Sequence, residues 1–199
     1  MTRNPLVIVV GMTGVGKTSI TDCAVEQVDR PVEYLSYGTL LLEEGRRQDL
    51  VYDRDEITEL DPDQYDALQS YTADRIASIL NDGEEDSETV YILDTHATLQ
   101  TPYGYRPGFS DDDIETIQPD QFAFIKATPA EIQDRRLNDA SRDRDMESAA
   151  ALTEQQDMAL HMTTAFAAAG RTPVAVIENS DGKLDVAVDA FIPLLTRDQ

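Results

Sequence analysis

Eight consecutive residues, Gly11-Met12-Thr13-Gly14-Val15-Gly16-Lys17-Thr18, carry the clearest chemistry in the chain. They satisfy the template G-x-x-x-x-G-K-[ST] at every fixed position, with Ser19 following. Glycines at these places permit positive φ angles and close backbone approach, so successive N–H groups can point into one concavity. A helix beginning there adds its positive N-terminal end, and the whole turn suits a nucleotide's phosphates. Lys17 is expected to reach the β- and γ-phosphates and the Thr18 hydroxyl to ligate Mg²⁺. Only two other lysines exist, Lys126 and Lys183, so a scarce cation stands at the one place the template demands it. A second candidate is Asp94, which closes the apolar run Ile92-Leu93. An acid at that strand end can bond the metal or its water, with a plain loop-capping aspartate as the alternative. A third is the set Arg135, Arg136, Arg142 and Arg144, four arginines within ten residues. Arg135 and Arg142 are seven apart and share a helical face. Clustered guanidiniums can neutralise the charge that develops during phosphoryl transfer, whereas a solvated arginine–aspartate surface would need no site.

The elements that must position these groups alternate in type. Residues 5–10 form a short, continuous apolar run rich in β-branched side chains, the pattern of a strand buried on both faces. Four similar runs follow at 32–37, 90–93, 122–127 and 173–177, separated by helix-like sequence. Helical spacing covers 18–28, a long stretch opened by Pro62, another opened by Pro129, the stretch 146–169 and the stretch 184–194. Gly170 stands where a left-handed residue would end the fourth of these helices. Strands alternating with helices predict an α/β fold, three layers around a five-stranded parallel sheet. At 199 residues the chain suits one domain, and no internal repeat or low-complexity linker divides it.

Composition narrows the class further. Sixteen basic residues face thirty-nine acidic ones, a formal net charge of −23. Nucleic-acid binding needs a basic footprint and is not expected. The single cysteine, Cys23, excludes a disulfide framework and a cysteine-held metal cluster, and reads as a small packed hydrophobe. No apolar run approaches the ~18 residues of a membrane span, and the run at 6–10 is too short and too early for a signal peptide. A cytoplasmic location is the expectation. Thirteen of the sixteen basic residues are arginine, and the acids are spread along the whole chain. This balance resembles that of proteins from salt-accumulating cells, where screening over ~3 Å at ~1 M salt stops dense carboxylates repelling one another.

A phosphate loop alone is shared by GTPase switches, ATP-driven assembly factors and small-molecule kinases. The guanine-reading Asn/Thr-Lys-x-Asp is absent. A slow ATPase acting as an assembly factor and a kinase for another small acceptor both remain open at this level.

The residues themselves resemble the archaeal-type adenylate kinases over nearly the whole chain. The resemblance runs through GMTGVGKTS at 11–19, YGTLLLEEG at 37–45 and DRDE at 53–56. It continues through Asp94-Thr95-His96 with the string TPYGYRPG at 101–108, the arginine segment, and Ile177-Glu178-Asn179. It implies ATP + AMP ⇌ 2 ADP with Mg²⁺, adenine-nucleotide homeostasis, and often a homotrimer. It implies an AMP-binding excursion at 38–68 and a short lid at 135–146. Under it, residues 11–19 hold the ATP phosphates, Arg135, Arg142 and Arg144 close over the transferring group, and Asn179 lies near the adenine of ATP. Gly38, Thr39, Arg54, His96, Thr101 and Tyr105 would form the AMP side. Two positions depart from the pattern: Gln100 replaces an expected basic residue and Asn138 a common lid arginine, each removing a possible phosphate contact. An AMP phosphate oxygen is already a nucleophile at neutral pH, so neither His96 nor His161 is needed as a base.

Overall fold

The β-branched runs pair side by side, all parallel, in the order β2-β3-β1-β6-β7. The computed structural model describes residues 3–82, 89–101, 104–138 and 147–196. The sheet strands are β1 (Leu6–Val10), β2 (Val32–Ser36), β3 (Val90–Thr95), β6 (Gln121–Lys126) and β7 (Val174–Glu178). Between β3 and β6 lies a two-stranded antiparallel ribbon, β4 (Thr98–Thr101) and β5 (Gly104–Pro107). Helices cover both faces: α1 (Lys17–Val25), α2 (Tyr37–Arg47), α3 (Arg54–Glu59), α4 (Pro62–Asn81), α5 (Asp111–Ile117), α6 (Pro129–Asn138), α7 (Ala149–Ala169) and α8 (Leu184–Thr196).

Strand β1 shows why the layers are three. Every one of its residues is buried, and successive side chains point to opposite faces. Leu6, Ile8 and Val10 join a core built with α2, α4, α5 and α7, through Leu41, Leu68, Ile114 and Phe166. Val7 and Val9 join a second core with α1, α6 and α8, through Ile20, Ile132 and Phe191. A strand buried on both sides has no polar face, which explains its continuous apolar reading. The five strands and the helices opened by Pro62 and Pro129 lie where the sequence pattern predicts them.

Local signals set the helix starts. Asp61 and Gln64 form a capping box at α4 with Pro62 in its first turn, and Ser148 caps α7 through Ala151 N. That cap starts α7 at Ala149, not at 146 as periodicity suggested. Gly170 also differs from expectation: its φ is −78°, and Arg171 takes the left-handed conformation at φ 53°. Space rather than φ favours glycine at 170, since a Cβ would sit 3.0 Å from both Ile114 Cγ2 and Thr172 Oγ1, which would have to give by a few tenths of an ångström. The expected excursion, 38–68, takes in most of α2, all of α3 and the opening of α4, between β2 and β3. Among the described residues no helix is long and apolar enough to cross a membrane.

Candidate active site

The turn between β1 and α1 is shaped by three glycines, each for its own reason. A Cβ on Gly11 would meet the Ile125 carbonyl of β6 at 2.6 Å. Gly14 and Gly16 have φ of 95° and 86°, the left-handed region that side chains disfavour. A Cβ on Gly16 would also collide with Asn179 Nδ2. Asn179 is 5% exposed and follows β7; its Nδ2 donates to Val15 O at 2.8 Å and its backbone N to Lys126 O at 2.8 Å. The turn is thus clamped from strands β6 and β7, while Thr18 and Ser19 face outward at the start of α1.

Lys17 folds back into this turn. Its Nζ donates to Gly11 O at 2.6 Å and lies 3.5 Å from Asp94 Oδ1. Burial pulls the lysine below its usual pKa, and the charge of Asp94 opposes that pull. The parallel register that pairs Val9 with Asp94 and Val10 with Thr95 delivers the carboxylate to the loop. Asp94 Oδ1 is buried and accepts no hydrogen bond among the described residues. Gly11 O is approached a second time, by His96 Nδ1 at 3.0 Å. A carbonyl can only accept, so the ring proton sits on Nδ1.

Two cavities meet at His96. The first, of about 160 Å³, is lined by Gly11, Met12, Thr13, His96, Tyr105 and Arg136 among others. The second, of about 240 Å³, lies under α2 and α3 and is lined by Tyr37, Gly38, Arg54, Tyr65, Asp94 and His96 among others. Arg54 reaches from α3 to the first turn of α2, where Nη2 donates to Thr39 Oγ1 at 3.1 Å. Thr39 in turn donates to Ser36 Oγ at 3.2 Å. Of the residues expected on the AMP side, Gly38, Arg54 and His96 line the second cavity and Thr39 holds Arg54. Tyr105 lines the first cavity instead, and Thr101 lines neither: its hydroxyl donates to Gly104 O at 2.8 Å inside the ribbon turn. The reason is the ribbon's two-residue period, which sends Leu99 to one cavity and the opposed pair Gln100 and Tyr105 to the other. Gln100 accepts from Gln155 Nε2 at 3.4 Å.

The arginine segment divides. Arg135 binds the outside of the turn, donating from Nη1 to Val15 O at 3.1 Å and from Nη2 to Asn179 O at 2.8 Å while pairing with Asp181. Arg136, part of the arginine cluster but not of the trio expected to close over the transferring group, lines the first cavity. Its Nε donates to Thr13 O at 3.1 Å and its Nη1 to Glu147 Oε2 at 2.6 Å. Arg142, Arg144 and the lid positions 139–146 lie outside the described residues. Asn138 closes a turn of its own helix, Nδ2 to Asp134 O at 2.9 Å. A further residue missed in the sequence is Glu131, whose carboxylate accepts from Thr128 N at 2.8 Å, Thr128 Oγ1 at 2.7 Å and Asp181 N at 2.6 Å. These bonds hold its pKa down at about 2. Its spacing after Thr128 is the capping-box signal that could have revealed it. Tyr37 and Tyr65 gave no such signal, because nothing local marks an inward-facing tyrosine as site or core.

A parallel sheet with a glycine-turned phosphate cradle, a buried lysine and an acid at the neighbouring strand end defines a P-loop phosphotransferase of the kinase fold. The solved structure of a shikimate kinase from Bacteroides thetaiotaomicron has the same fold, with a TM-score of 0.53 at 15% identity over 97% of this chain and 99% of that one. A family model described as an AAA domain matches residues 10–153. The adenylate kinase of Thermococcus kodakarensis is 37% identical over 191 residues, 96% of this chain and 94% of that protein. That of Methanopyrus kandleri is 37% identical over 188 residues, 94% and 95% of the two chains. The chain belongs to the adenylate kinase family.

Proposed function

We propose that this adenylate kinase, catalysing ATP + AMP ⇌ 2 ADP, holds the ATP phosphates in the Gly11–Ser19 turn and AMP in the cavity under α2 and α3. The observation that carries this assignment is the meeting of the two cavities at His96, beside Gly11, Lys17 and Asp94. An acceptor phosphate held by Arg54 then enters the space next to the cradle, and alignment replaces a chance encounter of two anions. The main-chain amides and Lys17 hold the β- and γ-phosphates, and the nucleophilic AMP oxygen needs no base. For this Lys17 Nζ leaves Gly11 O, while His96 Nδ1 remains to keep that carbonyl turned away from the phosphates. Asn179 and Arg135 shape the outer rim where the adenine of ATP would lie. Arg136 faces the first cavity, and the lid at 135–146, with Arg142 and Arg144, would close over it and exclude water that would otherwise take the phosphoryl group.

A divalent cation fits the residues present. Asp94 offers a carboxylate whose buried Oδ1 is held only at 3.5 Å by Lys17 Nζ, and Thr18 an outward-facing side chain at the first turn of α1. Thr18 and Asp94, directly or through water, would hold Mg²⁺, which when bound neutralises charge on the β- and γ-phosphates. Among the described residues no group of three or more His, Cys, Asp or Glu forms a metal cage, so the nucleotide's own phosphates would supply the other ligands.

The test is ADP formation from ATP plus each nucleoside monophosphate at molar KCl. AMP-dependent turnover supports the reading and its absence refutes it. A net charge of −23 further supports work in a salt-rich cytoplasm, and a thermal midpoint that rises with KCl is the expected sign. The homotrimer rests on the family resemblance, and sedimentation in the same buffer tests it.

A further inference from the structure

We propose that Arg136 is a catalytic residue of the phosphoryl transfer, its guanidinium exchanging the carboxylate of Glu147 for oxygens of the transferring group. The inference rests on the ATP phosphates lying in the Gly11–Ser19 turn, beside the first cavity. The chain carries a net charge of −23, yet the described residues that line this cavity include no aspartate or glutamate. Arg136 is the one lysine or arginine among them, and the other polar side chains, such as Gln100 and Gln155, are uncharged. Such a lining fits an anion. At about 160 Å³ the cavity is smaller than the ~300 Å³ at which small-molecule sites begin, so it suits a phosphoryl group better than a nucleoside.

The guanidinium is held so that it can change partners. Its stem packs on the phosphate turn, where a Cβ on Gly14 would stand 3.2 Å from Arg136 Cγ. Nε donates to Thr13 O at 3.1 Å, an anchor within the turn itself, and Nη1 donates to Glu147 Oε2 at 2.6 Å. Nη2 makes no hydrogen bond among the described residues and is not sealed from solvent, so its two N–H groups are open to a ligand. Glu147 is held in turn by Gln155 Nε2. Burial pushes the Glu147 carboxyl up, but the bonds from Arg136 and Gln155 outweigh it and leave the pKa below its usual value. In the empty enzyme Arg136 therefore faces an anion that stands where a phosphate can replace it. Swapping one anion for another changes the ground state little. The transition state differs: as the AMP oxygen bonds to the γ-phosphorus and the bond to the β,γ-bridge oxygen breaks, charge spreads over the peripheral oxygens and no proton moves. Fixed N–H groups beside that charge act on the barrier rather than on binding.

The experiment compares the full-length enzyme with Arg136→Met, Arg136→Lys and Glu147→Gln, reading kcat, the Kd for ATP and thermal unfolding in molar KCl. Arg136→Met should lower kcat about a hundredfold or more and change the Kd for ATP by less than about threefold. Arg136→Lys keeps stem and charge but loses the planar fork, and should still lose about tenfold in kcat, a reading independent of whether the methionine variant folds. Glu147→Gln should act in the opposite direction, tightening ATP about threefold, the worth of one partly exposed ion pair, because Arg136 then waits without a competing carboxylate. A residue that only fastened α6 to the turn would behave otherwise. Matched losses of stability and kcat in Arg136→Met and Glu147→Gln, or parental kcat in Arg136→Lys, overturn the inference. A parent without AMP-dependent turnover removes the proposed reaction itself, whereas an active parent with an unimpaired Arg136→Lys removes the role of Arg136 alone.

Discussion

The two halves of the site are built in opposite ways. The turn proposed to cradle the triphosphate is mostly main chain, and it is braced from remote parts of the fold: Asn179 and Arg135 reach it across 164 and 120 residues, Lys17 from within. The side proposed for the monophosphate is mostly side chain, set on two helices of the excursion, and the bond that joins those helices, Arg54 to Thr39, spans 15 residues. Helix α3 there has six residues and is secured by its own capping box, Asp53 with Glu56. A rigid mould suits a ligand whose phosphates must be held in line. A short, locally tied excursion suits a ligand that must enter and leave a closing cleft.

Replacing Lys17 by methionine gives the largest expected effect. Turnover should drop about a thousandfold or more, because the only ammonium in the cradle disappears. The fold should persist, since a methionine fills the buried stem and removes a charge that burial already disfavours. Steady-state rates and thermal unfolding measured side by side check both halves of this expectation.

Glycine substitutions probe the contrast directly. Gly16→Ala adds a methyl that collides with Asn179 Nδ2 at a φ of 86°, so stability should fall by about 1–3 kcal/mol and turnover by about a hundredfold. Gly38→Ala, at the other half, places a Cβ 3.9 Å from Arg54 Nη1, an ordinary contact inside a helix. There stability should rise by about 0.5–1 kcal/mol, because alanine loses less chain entropy on folding. If the two substitutions behaved alike in urea titrations, the distinction between mould and excursion would be wrong.

Arg54→Ala should raise KM for AMP by about ten- to hundredfold, as expected for a bond to a charged group, and leave KM for ATP unchanged. A matched rise in both constants would mean that the excursion also shapes the cradle.

The smallest effect concerns the outer buttress, where Glu131 joins the start of α6 to Asp181. Its pKa is depressed from 4.5 to about 2, so its stabilising contribution is complete above about pH 4.5 and fades as pH falls towards 2. Glu131→Gln should cost about 1 kcal/mol at pH 7, the size of a helix cap, and flatten stability against pH in that acid window. Unfolding curves at pH 7, 4.5 and 3 measure it.

Legibility from the sequence followed the same division. The cradle residues 11–19 could be read at once, because their conformation is dictated by neighbours within the same octet. Asp94 was readable as a strand-end acid, and the register Val9 to Asp94 then placed it against Lys17. The ribbon Thr98–Thr101 with Gly104–Pro107 was not readable: four-residue strands carry too little periodicity, and the split of Leu99 from Tyr105 depends on which face meets which cavity. Arg136 was legible as one of the clustered arginines but not as a cavity residue, because spacing along a helix says which residues share a face but not what that face meets.

What the sequence determined alone was the phosphate turn, the five parallel strands and the family, since glycine placement, β-branched runs and motif order are properties of contiguous residues. The tertiary structure decided the rest: that Asn179 locks the turn, that His96 stands between two cavities, and that Arg54 is held by Thr39 at the edge of one of them. Those facts depend on contacts between residues far apart in the chain, and only the packing of the helices on the two faces of the sheet brings such residues together.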